Sequence, residues 1–279
     1  MKFGRGLGSI FMIFTLGACN DSDELNELDS IKFESATVQN CFDVLRDRNG
    51  WGNLADIQTF SCSGGDLDAE GIEEMAIFTS LKELDISSSG AKDIDLSSFS
   101  TLEKIRLTFN LSLSSLHLSE NHSLTEVSLW NNAELQLDAA NLVNLKTIEA
   151  VSNNISYLNI YNTPQLEFLN VMDNNLSIID VSNNHNLRTL HLDMNDFSSI
   201  NLQENINLEN LSIGLNEIQS IDLTHNTQLK TFDAAISQLT TINLDANRLL
   251  ESVRLNNNPF DQATLDYLSA IDWIDNLIF

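Results

Sequence analysis

Proline and glycine are scarce in this chain, two and 11 among 279 residues, which leaves no room for a long structureless linker within the body of the protein. Basic side chains are few as well. Fourteen Lys and Arg stand against 40 Asp and Glu, a formal charge of −26. A surface this acidic repels phosphate backbones, which excludes nucleic acid as a partner, and it offers no electrostatic attraction to anionic lipid. Only three cysteines occur, with no CxxC pair and no Cys/His cluster to suggest zinc. The five histidines, His117, His122, His185, His191 and His225, form no pair at metal-ligand spacing on one column of the sequence's repeat. There is no nucleophile elbow, phosphate loop or zinc-hydrolase motif, so the chain does not read as an enzyme and no cofactor is expected.

What the chain has is a register. Leucine opens a similar phrase at Leu81, Leu102, Leu124, Leu145, Leu166, Leu187, Leu208, Leu229 and Leu250, in steps of 21 with one of 22. The phrase reads L-x-x-L-x-L-x-x-N-x-L-x-x-I-[DN]-L-x-x-N-x-x. Apolar positions 4 and 6, and again 14 and 16, are two apart, which is strand spacing. About ten residues per half-repeat leave little room for a helix and its turns. Each repeat therefore predicts one coil, with a strand on the concave side and a second extended segment on the convex side. A single coil cannot bury its apolar residues, but a stack can. At about 4.8 Å per strand the stack would be roughly 45–50 Å long.

Two polar columns run through the register. Asn110, Asn132, Asn153, Asn174, Asn195, Asn216 and Asn258 share position 9, with Ser89 and Ser237 in the same column. An inward amide there can satisfy the backbone groups orphaned by the turn. Position 15 reads Asp95, His117, Asp138, Asn159, Asp180, Asn201, Asp222 and Asn243. The alternation keeps like carboxylates from stacking in adjacent coils. A calcium row is the competing reading, although calcium needs six to eight oxygens and the column alone supplies too few.

The phrase LxxLxLxxNxL resembles the leucine-rich repeat, and its 21-residue length with an IDLS-like second half is similar to the internalin-like subclass of bacterial surface proteins. The resemblance spans about residues 57–260. It implies an α/β repeat, mostly β: a right-handed solenoid with a parallel concave sheet and capped ends. It also implies adhesion or interaction with other cells, without naming the partner. Ala150 and Ala234 at position 6, the Leu111–Leu113 stretch and the irregular Leu135–Leu142 coil depart from the pattern and are expected to be locally distorted.

The ends are read separately. Residues 1–18 have the charges Lys2 and Arg5 followed by an apolar run too short to span a bilayer. Leu16-Gly17-Ala18-Cys19 resembles a bacterial lipobox, which implies cleavage before Cys19 and acylation of its thiol; more than one acyl chain anchors firmly. An ordinary secretory signal is the alternative. Residues 19–32 read as an acidic tether that also resembles surface-export signals of Bacteroidota lipoproteins. Residues 33–80 read as an N-terminal cap with a degenerate first coil: a helix over about Phe33–Asp47, stopped by Asn49-Gly50, then Ile57, Phe60 and Cys62 echoing positions 1, 4 and 6. With Cys19 assigned to lipid, Cys41 and Cys62 remain, and in an exported chain a disulfide between them is expected, with two buried free thiols as the alternative. Repeats occupy 81–258. Residues 259–279 read as a second cap, with Asp261 capping a short helix and Trp273, Ile274, Leu277 and Phe279 completing the lid.

Candidate contact residues are those that break the polar pattern of the concave face. Positions 3, 5, 7 and 8 should face solvent there or at its rim. Phe109, Trp130, Val151, Phe168 and Met172 are apolar at such positions, and Met194, Leu215 and Ile236 continue the row. Apolar patches of this kind mark partner sites, although packing between neighbours on the sheet would also use them. Asp173, Asp193, Asp233 and His191 lie beside the row, so a basic-rimmed apolar protein would fit, with a glycan as an alternative ligand. The resulting expectation is a lipid-anchored envelope protein, of the outer membrane or cell surface, that recognises protein. A periplasmic or outer-membrane scaffold is the rival.

Overall fold

The computed structural model describes residues 27–132 and 134–279. The expected leader, its lipidation residue Cys19 and most of the tether lie outside the described residues.

Eleven strands pair in parallel in chain order: Thr59–Ser63, Glu83–Ser87, Lys104–Thr108, Glu126–Trp130, Thr147–Val151, Phe168–Asn170, Thr189–His191, Asn210–Ser212, Thr231–Asp233, Ser252–Arg254 and Asn276–Ile278. The register advances one repeat per strand. Leu84, Ile105, Val127, Ile148, Leu169, Leu190, Leu211, Phe232 and Val253 are successive partners, and all are buried. Two-residue spacing puts positions 4 and 6 on the same inner face, so columns form without any local helix. A solenoid adds core in proportion to its length, each fully buried leucine contributing about 2 kcal/mol.

The departures from pattern cost little geometry. Ala150 and Ala234 are fully buried and the ladder passes through them unbroken, so those coils are not distorted. The extra residue of the 22-residue repeat is absorbed at the turn: Leu111 points outward at 72% exposure while Leu113 fills the core position. On the convex side, only Asp93–Asp95 with Ser115–His117 and Leu137–Asp138 with Leu158–Asn159 pair as strands. After Asn159 the described residues of that side pair into no strand, so convex ladder pairing is an early-coil feature.

The position-9 asparagines form an inter-coil ladder. Each Nδ2 donates to a carbonyl of the preceding coil, as Asn132 does to Leu107 at 3.0 Å, Asn153 to Leu129 at 2.8 Å and Asn195 to Val171 at 2.9 Å. Each Oδ1 accepts backbone N–H groups of that same coil. A buried turn is thereby satisfied by its neighbour's side chain. At position 15, Asp95, Asp138, Asn159, Asp180, Asn201, Asp222 and Asn243 each accept the backbone N–H two residues on. These are Asx-turns, a reason for Asp or Asn at this position that charge spacing alone does not provide.

The N-terminal cap starts earlier than its sequence suggests. A 3-10 turn at Glu27–Ser30 buries Leu28, so the tether ends before it. Helix α1 (Ala36–Asn49) begins at Ser35, whose Oγ accepts the Val38 N–H, and ends at Gly50 in the left-handed conformation at φ 65°. Arg46 and Arg48 sit in its last turn, where they favour the helix dipole. Phe42 packs with Phe33 and Phe78, and Phe60 with Phe78 at 4.8 Å between ring centroids. Cys41 and Cys62 form a disulfide with their Cα atoms 5.5 Å apart, joining α1 to the first strand. A second helix, α2 (Ala69–Glu74), was not foreseen. Its six residues include Gly71, which hides it from sequence reading. An added Cβ at Gly71 would lie 2.9 Å from Ser35 Oγ, and the Glu74 carboxylate accepts the Glu34 and Ser35 N–H groups.

At the other end Asp261 Oδ1 accepts the Thr264 N–H at 2.7 Å and starts α3 (Gln262–Ser269), which buries Leu268. The Arg248 guanidinium lies 3.7 Å from the centroid of the Trp273 ring, a cation–π contact. Leu277 packs on the core within an eleventh strand, but Phe279 is 43% exposed and is not part of the lid.

Candidate recognition surface

Position 8 carries the least expected geometry. Ser88, Phe109, Asn131, Ser152, Asp173, Met194, Leu215, Ile236 and Asn257 all have positive φ, between 51° and 63°. The turn into the asparagine ladder demands it in every coil. Left-handed backbone suits Gly, Asn and Asp; for a bulky or β-branched residue it is a true outlier, costing about 1–3 kcal/mol. Five of the nine residues are polar and small enough to comply. Phe109, Met194, Leu215 and Ile236 are not, and they are 56, 46, 41 and 47% exposed. Neither backbone preference nor burial explains these four.

The apolar candidates do not form the single patch that the sequence suggests. Trp130, Val151 and Met172 occupy position 7 of three successive coils. Trp130 is 37% exposed, Met172 is half-buried, and Val151 is buried at 9%, so Val151 supports the row without lining it. Phe168 sits at position 3, the other end of its strand, with its ring edge against His191 at 5.9 Å. The row continues instead into position 8: the Asn174 N–H bonds the Met194 carbonyl, and Met194, Leu215 and Ile236 follow coil by coil. The result is an apolar band along one rim that begins at position 8 with Phe109, runs through position 7 at Trp130 and Met172, and returns to position 8 at Met194, Leu215 and Ile236.

The polar candidates are tied down. Asp193 Oδ1 accepts the Ser212 Oγ–H at 2.5 Å and the Gly214 N–H at 3.0 Å. Burial pushes its carboxyl above the usual aspartate range, with these bonds opposing. Gly214 makes the approach possible, since an added Cβ would lie 2.9 Å from the Ala235 carbonyl and 3.1 Å from Asp193 Oδ1. Asp173 accepts the Ser152 hydroxyl at 2.6 Å, and Asp233 pairs with Arg254 at 3.1 Å. His191, Ser212 and Asp233 are side by side in register. The Ser212 hydroxyl donates to Asp193, however, which directs its proton to a carboxylate rather than to imidazole, so this cluster lacks the order of a nucleophilic triad. Among the described residues no group of three or more His, Cys, Asp or Glu is placed to hold a metal ion.

Sequence reading missed a charge ladder at the opposite end of the strands. Position 2 reads Lys82, Glu103, Thr125, Lys146, Glu167, Arg188, Glu209, Lys230 and Glu251, alternating in sign except at threonine. Lys82 bonds Glu103 at 2.8 Å, and Glu209 bridges Lys230 and Arg188, which hold it below the usual carboxylate range. At position 3, Lys104 sits between Glu83 and Glu126. Much of the scarce positive charge is thus spent at this rim. No Lys or Arg occupies positions 7 to 10 of any coil, so the charged residues at those positions are all acidic.

No protein-family model and no curated protein matches the chain. Solved structures do match. The functional domain of internalin J from Listeria monocytogenes is 25% identical, with a TM-score of 0.58 over 74% of this chain and 50% of that one. The fold is that of the leucine-rich-repeat proteins. The present chain spans half of the internalin J structure. An internalin, InlF, from the same organism is 18% identical at a TM-score of 0.51, over 90% of both chains. A chain in the octameric complex of Latrophilin 3, Unc5D and the leucine-rich-repeat protein FLRT2 is 18% identical at a TM-score of 0.61, covering 78% and 82%. Among the described residues no helix is long and apolar enough to cross a membrane.

Proposed function

We propose that this chain is a lipid-anchored recognition protein of the bacterial cell envelope, binding protein partners through its concave face and the apolar rim beside it. The observation that carries the reading is the solvent-facing apolar band from Phe109 to Ile236 on an otherwise acidic surface. Small polar residues satisfy the same left-handed turn in other coils, and aromatic and Met side chains are common anchors of interfaces. Similarity to internalin folds and to a chain in a multi-protein assembly supports recognition over catalysis. The lipobox-like Leu16–Cys19 segment supports the anchor.

Two measurements test it. Immobilised protein should retain a partner from envelope and surface extracts, and Trp130→Ala/Met172→Ala should lose it; equal retention by both forms would sink the concave reading. Cells fed a labelled fatty acid should label the wild type and not Cys19→Ser. Resistance of the protein to protease added to intact cells would favour the internal scaffold over the surface adhesin.

A further inference from the structure

We infer that Met194, Leu215 and Ile236 form a docking ridge for a basic, amphipathic helical segment of the partner, laid along the stack axis. This rests on the recognition reading above and specifies the chemistry of what is recognised.

Three observations converge. The first is that the fold does not need these side chains. Asn131, Asn257, Ser88, Ser152 and Asp173 adopt the same left-handed conformation at the same coil position, so small polar residues suffice for the turn. The three apolar residues are nevertheless 41–47% exposed in consecutive coils.

The second is charge. Asp196 and Glu217 stand exposed two residues beyond Met194 and Leu215, and Asp173 precedes Met194 in the column. Positions 7 to 10 contain no cation in any coil. Arg188 and Lys230 lie at the opposite rim on Glu209, and Arg254 is held by Asp233. The acidic flank is therefore uncompensated from within the chain and favours a positive partner.

The third is spacing. Coils repeat at about 4.8 Å. The turns of an α-helix repeat at about 5.4 Å, so its i and i+4 side chains can drop into the two gaps between three successive ridge residues, with i+7 just beyond the third. Same-face residues of an extended strand are about 6.7 Å apart and fall out of step by the second coil.

The test uses Met194→Asn/Leu215→Asn/Ile236→Asn in the full chain. Asparagine tolerates the left-handed backbone, so the triple variant should melt at or above the wild-type temperature; a lower melting temperature would show the ridge to be packing and overturn the inference. The probe is a synthetic leucine–lysine amphipathic helix, measured by calorimetry beside a scrambled peptide of the same composition and a leucine–glutamate helix. Wild type should bind the leucine–lysine helix at least tenfold more tightly than either control, and the variant should lose that preference. Equal binding of the scrambled peptide would reduce the effect to bulk charge and overturn the inference, as would unchanged binding by the variant. The two proposals fail separately. If partner capture is lost in Trp130→Ala/Met172→Ala but kept in the ridge variant, recognition stands and the ridge does not. If neither variant alters capture, the recognition surface itself is misplaced.

Discussion

Asn174 accepts the backbone N–H of Asn153 at 3.1 Å through the same Oδ1 that takes the Ile155 N–H at 2.9 Å. Before it, Asn110, Asn132 and Asn153 each receive the position-9 N–H of the coil below. After it, Asn195, Asn216 and Asn258 receive the N–H of position 11. Asn174 does both, and the change coincides with two others. Concave strands shorten from five residues to three after Thr147–Val151, and from Met194 to Ile236 the exposed apolar residue of each coil lies at position 8. One solenoid thus contains two styles of coil, joined at this side chain.

Replacing Asn174 with Ala should therefore be severe. Its Nδ2 also donates to the Ala150, Val171 and Met172 carbonyls. Orphaned buried groups cost about 1–3 kcal/mol each, and partial relaxation should leave a loss of about 3–5 kcal/mol in urea unfolding. Asn175→Ala next door, exposed, should stay within about 0.5 kcal/mol.

The Cys41–Cys62 disulfide closes a separation of 21 residues and clips α1 to the open edge of the sheet. Cys41→Ser/Cys62→Ser should lose about 3 kcal/mol on the chain-entropy account, read as a lower melting temperature. Thiol labelling of the unfolded, unreduced protein should find neither cysteine free.

Asp180 and Asp222 should make part of the stability pH-dependent. The hydroxyl and backbone N–H of Ser182 hold Asp180 below the usual aspartate range, and those of Thr224 do the same for Asp222. The folded state then binds fewer protons than the unfolded one below about pH 4, so this contribution is complete above that pH and disappears as pH falls through the folded pKa. Asp180→Asn/Asp222→Asn keeps the Asx-turn acceptors without titrating. Its melting temperature should fall less steeply between about pH 4 and pH 2; a parallel fall in both proteins would argue against the effect.

Gly214→Ala should destabilise the protein by about 1–3 kcal/mol, because the added Cβ meets the Ala235 backbone carbonyl, which cannot swing away. Gly65→Ala, with nothing within 4 Å and no positive φ, is the control and should be close to neutral. Chemical denaturation of the two variants side by side checks this.

Much of this is legible in the sequence. The leucine period placed the core columns, position 9 placed the asparagine ladder, and Cys41 and Cys62 could be paired from the cap helix and first coil. The alternating charges of position 2 are equally legible, since Lys230, Glu209 and Arg188 stand one period apart. Other features carry no periodic mark. Helix α2 is short and contains a glycine. The convex strands stop after Asn159 although the pattern continues. Phe168 and Met172 belong to one phrase yet point to opposite ends of a strand.

The sequence by itself determined the solenoid and the inward side chains, because a 21-residue period with two-residue spacing admits one way of burying its leucines. Position 8 by itself put Met194 and Ile236 outside the core, and tertiary structure alone decided the backbone that holds them there. Their positive φ is imposed by hydrogen bonds to the neighbouring coil, such as that from Ile236 N–H to the Asn256 carbonyl. That constraint is made between residues about one period apart, so no local pattern within a single phrase can express it.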